Sequence, residues 1–540
     1  MFNWFFNVFW ANGLRKALTV VLALALVGGG GYVIREAVVS PDLCADGVEK
    51  SGGECVGTNG SGYDFGTPEI RKVAGAIAKE NRRVAAGPHI TVAVMLPLQP
   101  DIQAERRQLR SELQGAYLAQ YRANRQEEEP KMRLVLANPG DDYRQHARVV
   151  DRLAEMADST EDNLRAVTGF NLSLTSTRDV IDRLTNDLKI PVLASRVTAD
   201  ELANLPDATG KPRFDGLARV IPTNHKQADA LAEFHRDLKD KDTVLVRDTR
   251  RGDIYVDSLA SAFGRPEKGP PGSKDQEFTS PGITKQGDTG NDFALIGHNI
   301  CQSQAKIVYF AGRPVHLRLF ALKLAAAPCG DKSYTIVSGS GAATLDRYMS
   351  AADWRELRGT EPGKPAITVE YAAPAHPDAW DVSLRDWEKE RKKATGKKPG
   401  EAGRPAYLTE PQRELAALRA LITKESAGDI GPVRLDDSRT MLVHDGVHTI
   451  AQAVFLANAR AAGSVPPRER VAAQWPRLDS AHRVRGTSGW ICLTNGGNPY
   501  NKPVAVVRLD PRTRKVAFSG LAWPEGRPQP PGCVVPSGTG

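Results

Sequence analysis

The 540-residue sequence contains no CxxC pair, no Cys/His cluster at zinc spacing and no G-x-S-x-G elbow. These absences remove structural zinc sites and serine-hydrolase chemistry from consideration. Charge of one sign is also missing. Lys and Arg total 72 against 64 Asp and Glu, a net +8, and the charges are mixed along the chain. A nucleic-acid binder clusters its basic residues on a face or stripe. Long apolar runs are scarce as well, with one near the N-terminus, so a polytopic membrane protein is excluded. What remains is ordinary globular composition, 41% hydrophobic and 25% charged. The length allows three or four domains, or two larger lobes.

The single apolar run, 17–34, is uncharged and 18 residues long, at the short end of a bilayer span. Arg15 and Lys16 precede it, while Arg35 and Glu36 cancel behind it. The positive-inside rule then puts residues 1–16 in the cytoplasm and the bulk of the chain outside. Trp4, Phe5, Phe6, Phe9 and Trp10 suit a membrane interface. A cleaved signal peptide is the competing reading, but no small-x-small site follows. The glycines Gly28–Gly31 lack the Lys-Ser/Thr of a phosphate loop. All six cysteines follow this run, on the side where disulfides persist. Their order suggests Cys44–Cys55, Cys301–Cys329 and Cys492–Cys533, among 15 possible connectivities. Six buried free thiols are the alternative.

Residues 40–66 are rich in Gly, Ser and Asp and read as part of an extracellular stalk and helix spanning 35–88. Short apolar runs then alternate with helical patterns. Strands are expected at 90–98, 132–138, 164–171, 189–195 and 218–224, with helices between. A second series places strands at 243–248, 305–312, 333–341 and 366–374. The pattern implies βαβ units and two largely parallel, doubly wound blocks. The charged stretch 385–406 reads as a solvated insertion, or as a contact site for anionic surfaces. Asn495-Gly496-Gly497-Asn498 reads as a hairpin turn between strands 489–494 and 503–509. Residues 526–540 read as a disordered tail.

Several segments resemble the type I periplasmic (extracellular) solute-binding proteins, of the branched-chain amino-acid-binding type. They are ITVAVMLPL (Ile90–Leu98), VTGFNLSLTST (Val167–Thr177), IPVLASRVTADEL (Ile190–Leu202), HDGVHTIAQAV (His444–Val454) and the stretch Gly486–Asp510. The order and spacing of the segments carry the resemblance, from about Ile90 to Trp523. It implies an α/β fold of two Rossmann-like lobes joined by a three-strand hinge, and the apolar run 17–34 adds an N-terminal transmembrane helix before them, unlike the freely diffusing or lipid-anchored form usual in the family. Lobe one would comprise 89–221 with 377–462, and lobe two 222–372 with 485–525. Together with the anchor read from 17–34, the implied function is that of a membrane-anchored extracellular protein taking a small polar ligand into the interlobe cleft, for ABC-type uptake or sensing. Such a protein works with a membrane permease or signalling partner, has no cofactor and is not an enzyme. The alternative keeps the fold as an interaction or sensor module that has lost amino-acid binding.

Carried over residue by residue, the resemblance offers Asn171, Ser173, Ser195, Arg196, Thr198, Tyr255 and Ser340 as ligand contacts. Exposed hydroxyls and loop N–H groups suit a carboxylate or a sugar hydroxyl. Ser173 and Thr198 could equally serve as caps of local helices. Arg196 departs from the small residue usual there and favours an anionic ligand, or blocks the site. Arg251 stands where the family carries a stacking tyrosine, and no acidic residue stands near Gly339–Gly341 to pair with an ammonium. His444 and His448, four apart on a helix, read as packing residues in the absence of a third metal ligand.

Overall fold

A computed structural model describes residues 43–236, 243–264, 275–397, 399–459 and 465–539. The anchor expected over 17–34 lies outside the described residues. Among the described residues no helix is long and apolar enough to cross a membrane.

Two sheets dominate. The first holds β1 (Leu43–Ala45), β2 (Val48–Ser51), β3 (Glu54–Asn59), β4 (His89–Met95), β5 (Lys131–Asn138), β6 (Leu164–Gly169), β7 (Val192–Ala194) and β8 (Leu217–Arg219), in the order β1-β2-β3-β5-β4-β6-β7-β8. From β5 to β8 every pairing is parallel. The second holds β9 (Thr243–Asp248), β10 (Gln276–Phe278), β11 (Ile307–Ala311), β12 (Ser333–Ser338) and β13 (Ala366–Ala373), parallel in the order β10-β9-β11-β12-β13. Two more strands, β16 (Val504–Asp510) and β17 (Lys515–Ala522), extend its edge antiparallel. Both parallel sheets thus have the doubly wound order 2-1-3-4-5. Each has an apolar cluster on either face, which is why the strands read as unbroken apolar runs.

The chain crosses between lobes three times, at 219–224, 373–379 and 493–504. Trp380, Leu384, Leu408 and the helix Arg439–Asn458 pack on the first sheet. The short hairpin β14 (Val484–Gly486) and β15 (Gly489–Ile491) joins the same core through Val484 and Ile491.

The structure differs from the sequence reading in three places. Residues read as a stalk fold as β1–β3, an antiparallel addition to the first sheet, with Val48, Val56 and Phe65 buried. No hairpin joins 489–494 to 503–509. β15 pairs with β14, and the Asn495–Asn498 turn belongs to the third crossing. The tail is not free, because Gln529 and Cys533 are buried against Trp490. The disulfides are Cys44–Cys55, Cys301–Cys329 and Cys492–Cys533, the pairs suggested by sequence order. The charged stretch continues the helix Ala379–Thr395 beyond its buried Trp380 and Leu384, and its outer part is exposed.

Candidate functional site

In doubly wound sheets ligands sit at the carboxyl ends of the strands, where the strand order reverses. Here the loops after β4, β6, β7, β9, β11 and β12 converge between the lobes and enclose a cavity of about 190 Å³. That is below the roughly 300–1,000 Å³ of pockets for drug-sized ligands, so the space suits a small molecule.

The turn after β6 is made possible by Gly169, at φ +103°. A Cβ there would lie 2.5 Å from the Met95 carbonyl oxygen. It delivers Asn171 and Ser173. The Asn171 side chain accepts from Tyr143 Oη at 3.3 Å and donates to Glu112 at 3.3 Å. Ser173 Oγ accepts from the amides of Thr198 and Ala199, at 3.1 and 3.3 Å. Its hydroxyl therefore holds the neighbouring loop in place.

At the floor of the cleft Arg196 and Arg439 each donate through Nη1 to Glu112 Oε1 at 2.8 Å. Glu112 comes from the helix Gln103–Ala123 and is fully buried. Burial pushes its carboxyl up to about 7, against the pull of Arg196. Nε of Arg196 and of Arg439 is buried with no hydrogen-bond partner. Glu105, which lines the cavity and accepts from Tyr348 Oη at 3.3 Å, is also pushed up to about 7 by burial.

On the lobe-two wall Tyr255 is buried, and burial raises it to about 12. Its Oη accepts from the Gly341 amide at 3.0 Å, and the Arg313 guanidinium lies 4.7 Å from its ring centre. Arg313 makes a bidentate pair with Asp253 at 2.8 and 2.6 Å. Ser340 donates its amide to Gln227 Oε1 at 3.2 Å.

Asn171, Ser173, Arg196, Thr198, Tyr255 and Ser340 therefore all line the cavity. Ser195 does not. Its hydroxyl lies 3.2 Å from Thr168 Oγ1, pressed against Gly446 of the helix Arg439–Asn458. Arg251 is exposed, and Arg250 lines the cavity in its place. His444 is buried with Nδ1 at 3.2 Å from Asp445, its ring 6.1 Å from that of His448. Among the described residues no group of three or more His, Cys, Asp or Glu could hold a metal ion.

Sequence reasoning missed Glu112, Arg439 and Arg313. The first had a visible signal, since Glu112 shares a helix face with Leu109 and Ala116, where a solvated carboxylate does not belong. The lobes also touch directly. Arg347 of lobe two pairs with Asp437 of lobe one, both buried, and Arg434 reaches Asp346 at 3.1 Å.

Known structures share this architecture. A leucine-binding protein, LivK, from Thermotoga maritima superposes at a TM-score of 0.52, with 18% identity over 81% of this chain and 99% of its own. The chain has the fold of ABC-transporter substrate-binding proteins. LivJ from Streptococcus pneumoniae, a branched-chain amino acid transporter substrate-binding protein in complex with isoleucine, gives a TM-score of 0.52, 14% identity, and 81% and 99% coverage. A solute-binding protein from R. palustris in complex with 4-hydroxybenzoate gives 0.52, 11%, 81% and 96%. No family model matches the sequence, and no curated protein matches it.

Proposed function

We propose that this chain is a solute-binding protein whose lobes close on a small carboxylate in the interlobe cleft, for ABC-type uptake or sensing. The observation that carries this reading is the charge of the cavity wall. Arg144, Arg196, Arg250, Lys285, Arg313 and Arg439 line it, against Glu105, Asp141 and Asp142. Such a wall attracts anions, and buried guanidinium N–H groups without partners are donors that a carboxylate satisfies. Ligands named with structures of this fold, isoleucine and 4-hydroxybenzoate, both carry a carboxylate. The lobe-two loop Gly339–Gly341 supplies no acidic side chain for an ammonium, which favours a carboxylate without an amine. Asn171, Ser173, Thr198, Tyr255 and Ser340 shape the remainder of the cleft, Ser173 and Thr198 mainly as braces of its loops. The protein is not an enzyme in this reading.

The segment 17–34 tethers the chain to the membrane with its bulk outside, and the three disulfides fit that compartment. Thermal-shift measurement of the whole protein against isoleucine, benzoate and 4-hydroxybenzoate tests the ligand reading. A ligand at 100 times its Kd stabilises by about 2.7 kcal/mol. A carboxylate that raises Tm while its amide does not supports the reading. No shift with any small acid favours the interaction-module alternative.

A further inference from the structure

A second groove of about 540 Å³ lies across the hinge, lined by residues other than those of the cleft cavity. Its walls come from the first crossing (Arg219, Pro222, Thr223) and the third (Thr494, Asn498, Tyr500), joined by Leu205 of lobe one and Pro524 beyond β17. The volume falls inside the range of small-molecule pockets. Much of the wall is apolar, and Leu205 is 59% exposed there.

Set into this wall, which also carries the carboxylates of Asp200 and Glu525, is a buried cation with no direct ion pair among the described residues. Arg219 is 1% exposed, its Nε and Nη2 donate to Asn498 Oδ1 at 3.2 and 2.8 Å, and its Nη1 is buried with no partner. Among the described residues no carboxylate forms an ion pair with it. Asp200 is near enough to favour its charge, but Asp200 is held by His225 at 2.6 Å and by Ser258. Burial lowers the guanidinium to about 10. A buried charge whose only hydrogen-bond partner is an amide oxygen is costly, and an anion in the groove would offset that cost.

We propose that this hinge groove is a second ligand site, for a small organic anion whose charged group meets Arg219 and whose apolar body lies along Leu205 and the prolines. The site is separate from the cleft and stands whether or not the cleft takes a carboxylate. A ligand there touches two of the three crossings on which lobe movement turns.

The test is calorimetric titration of the whole protein with octanoate and with octanamide at pH 7. The expected result is saturable binding of octanoate, at least tenfold weaker binding of the amide, and at least tenfold weaker octanoate binding to Arg219→Met. Arg219 also holds Asn498, so Leu205→Glu is measured in parallel. This exposed substitution leaves the fold alone, sets a negative charge at the rim, and is expected to weaken octanoate by a similar factor. No saturable binding to the native protein overturns the proposal, as does octanoate affinity unchanged in both variants. Binding kept in Arg219→Met and Leu205→Glu but lost in Arg196→Met puts the anion in the cleft and overturns it equally.

Discussion

Replacing Glu112 by Gln reverses the usual expectation for a buried acidic residue. Glu112 lies directly behind Arg196 and Arg439, each 2.8 Å away, and opposes any anion those arginines attract. Gln keeps an oxygen for the two Nη1 groups and removes the negative charge. For a bound carboxylate about 6 Å from that charge, at an effective dielectric of about 20, the repulsion removed is about 3 kcal/mol. Part of this is recovered by solvent, so tighter binding of about tenfold is expected at pH 8. The variant is less stable without ligand, by about 3–5 kcal/mol, because two buried cations lose their counter-charge. Titration calorimetry with the carboxylate that scores in thermal shift measures the affinity between pH 8 and 6. In the native protein Glu112 and Glu105 both take up a proton near pH 7, so affinity rises as pH falls, with up to two protons bound per ligand. The Gln variant retains only the Glu105 contribution. A folded variant that binds the acid no more tightly at pH 8, or that shows the native pH slope, would refute the charge argument.

Other substitutions test separate parts of the structure. Ser195→Ala is expected to leave ligand affinity within about twofold while costing about 1 kcal/mol in denaturant unfolding, since the hydroxyl bonds Thr168 and not the cleft. Arg347→Met removes the buried link to Asp437, and the radius of gyration by small-angle scattering should rise as the lobes part; an unchanged radius counts against closure through this pair. Lys502, fully buried and bonded to the Ser488 carbonyl at 3.0 Å, is lowered by burial to about 8 from 10.5. Between those values the unfolded chain binds the extra proton, so stability rises with pH and falls again towards pH 8. Over that window the change is about 3 kcal/mol, and Lys502→Met should flatten it in urea titrations at pH 8 and 10.

The strands that build the cleft were legible because parallel strands buried on both faces must be apolar throughout, as in β4, β6, β9 and β11. Once those strands are placed, the cleft loops follow from topology alone, and with them Asn171, Ser173 and Thr198. The failures have equally physical causes. Residues 43–59 are short and glycine-rich, and what makes them strands is the edge of β5, with which β3 pairs across 77 to 81 residues of sequence. Ser195 and Arg196 are adjacent at the end of β7, so their side chains leave on opposite sides. Local sequence does not say which side faces the cleft. The structure gives that place to Arg196.

That outcome changes the meaning of the departure at Arg196. Read alone, an arginine in place of a small residue could block the cleft. In the fold its charge is met by Glu112, 84 positions earlier on another element, and Glu112 is shared with Arg439, 327 positions later. An obstruction would need no such arrangement, because a buried arginine is tolerated at far lower cost as a methionine of similar volume. Three charged groups from three distant segments, with two guanidinium Nε groups left unpartnered, make sense as the binding surface for a fourth charge. In the proposed reading, the residue that weakens the resemblance to amino-acid binders is thus the one that selects an anion.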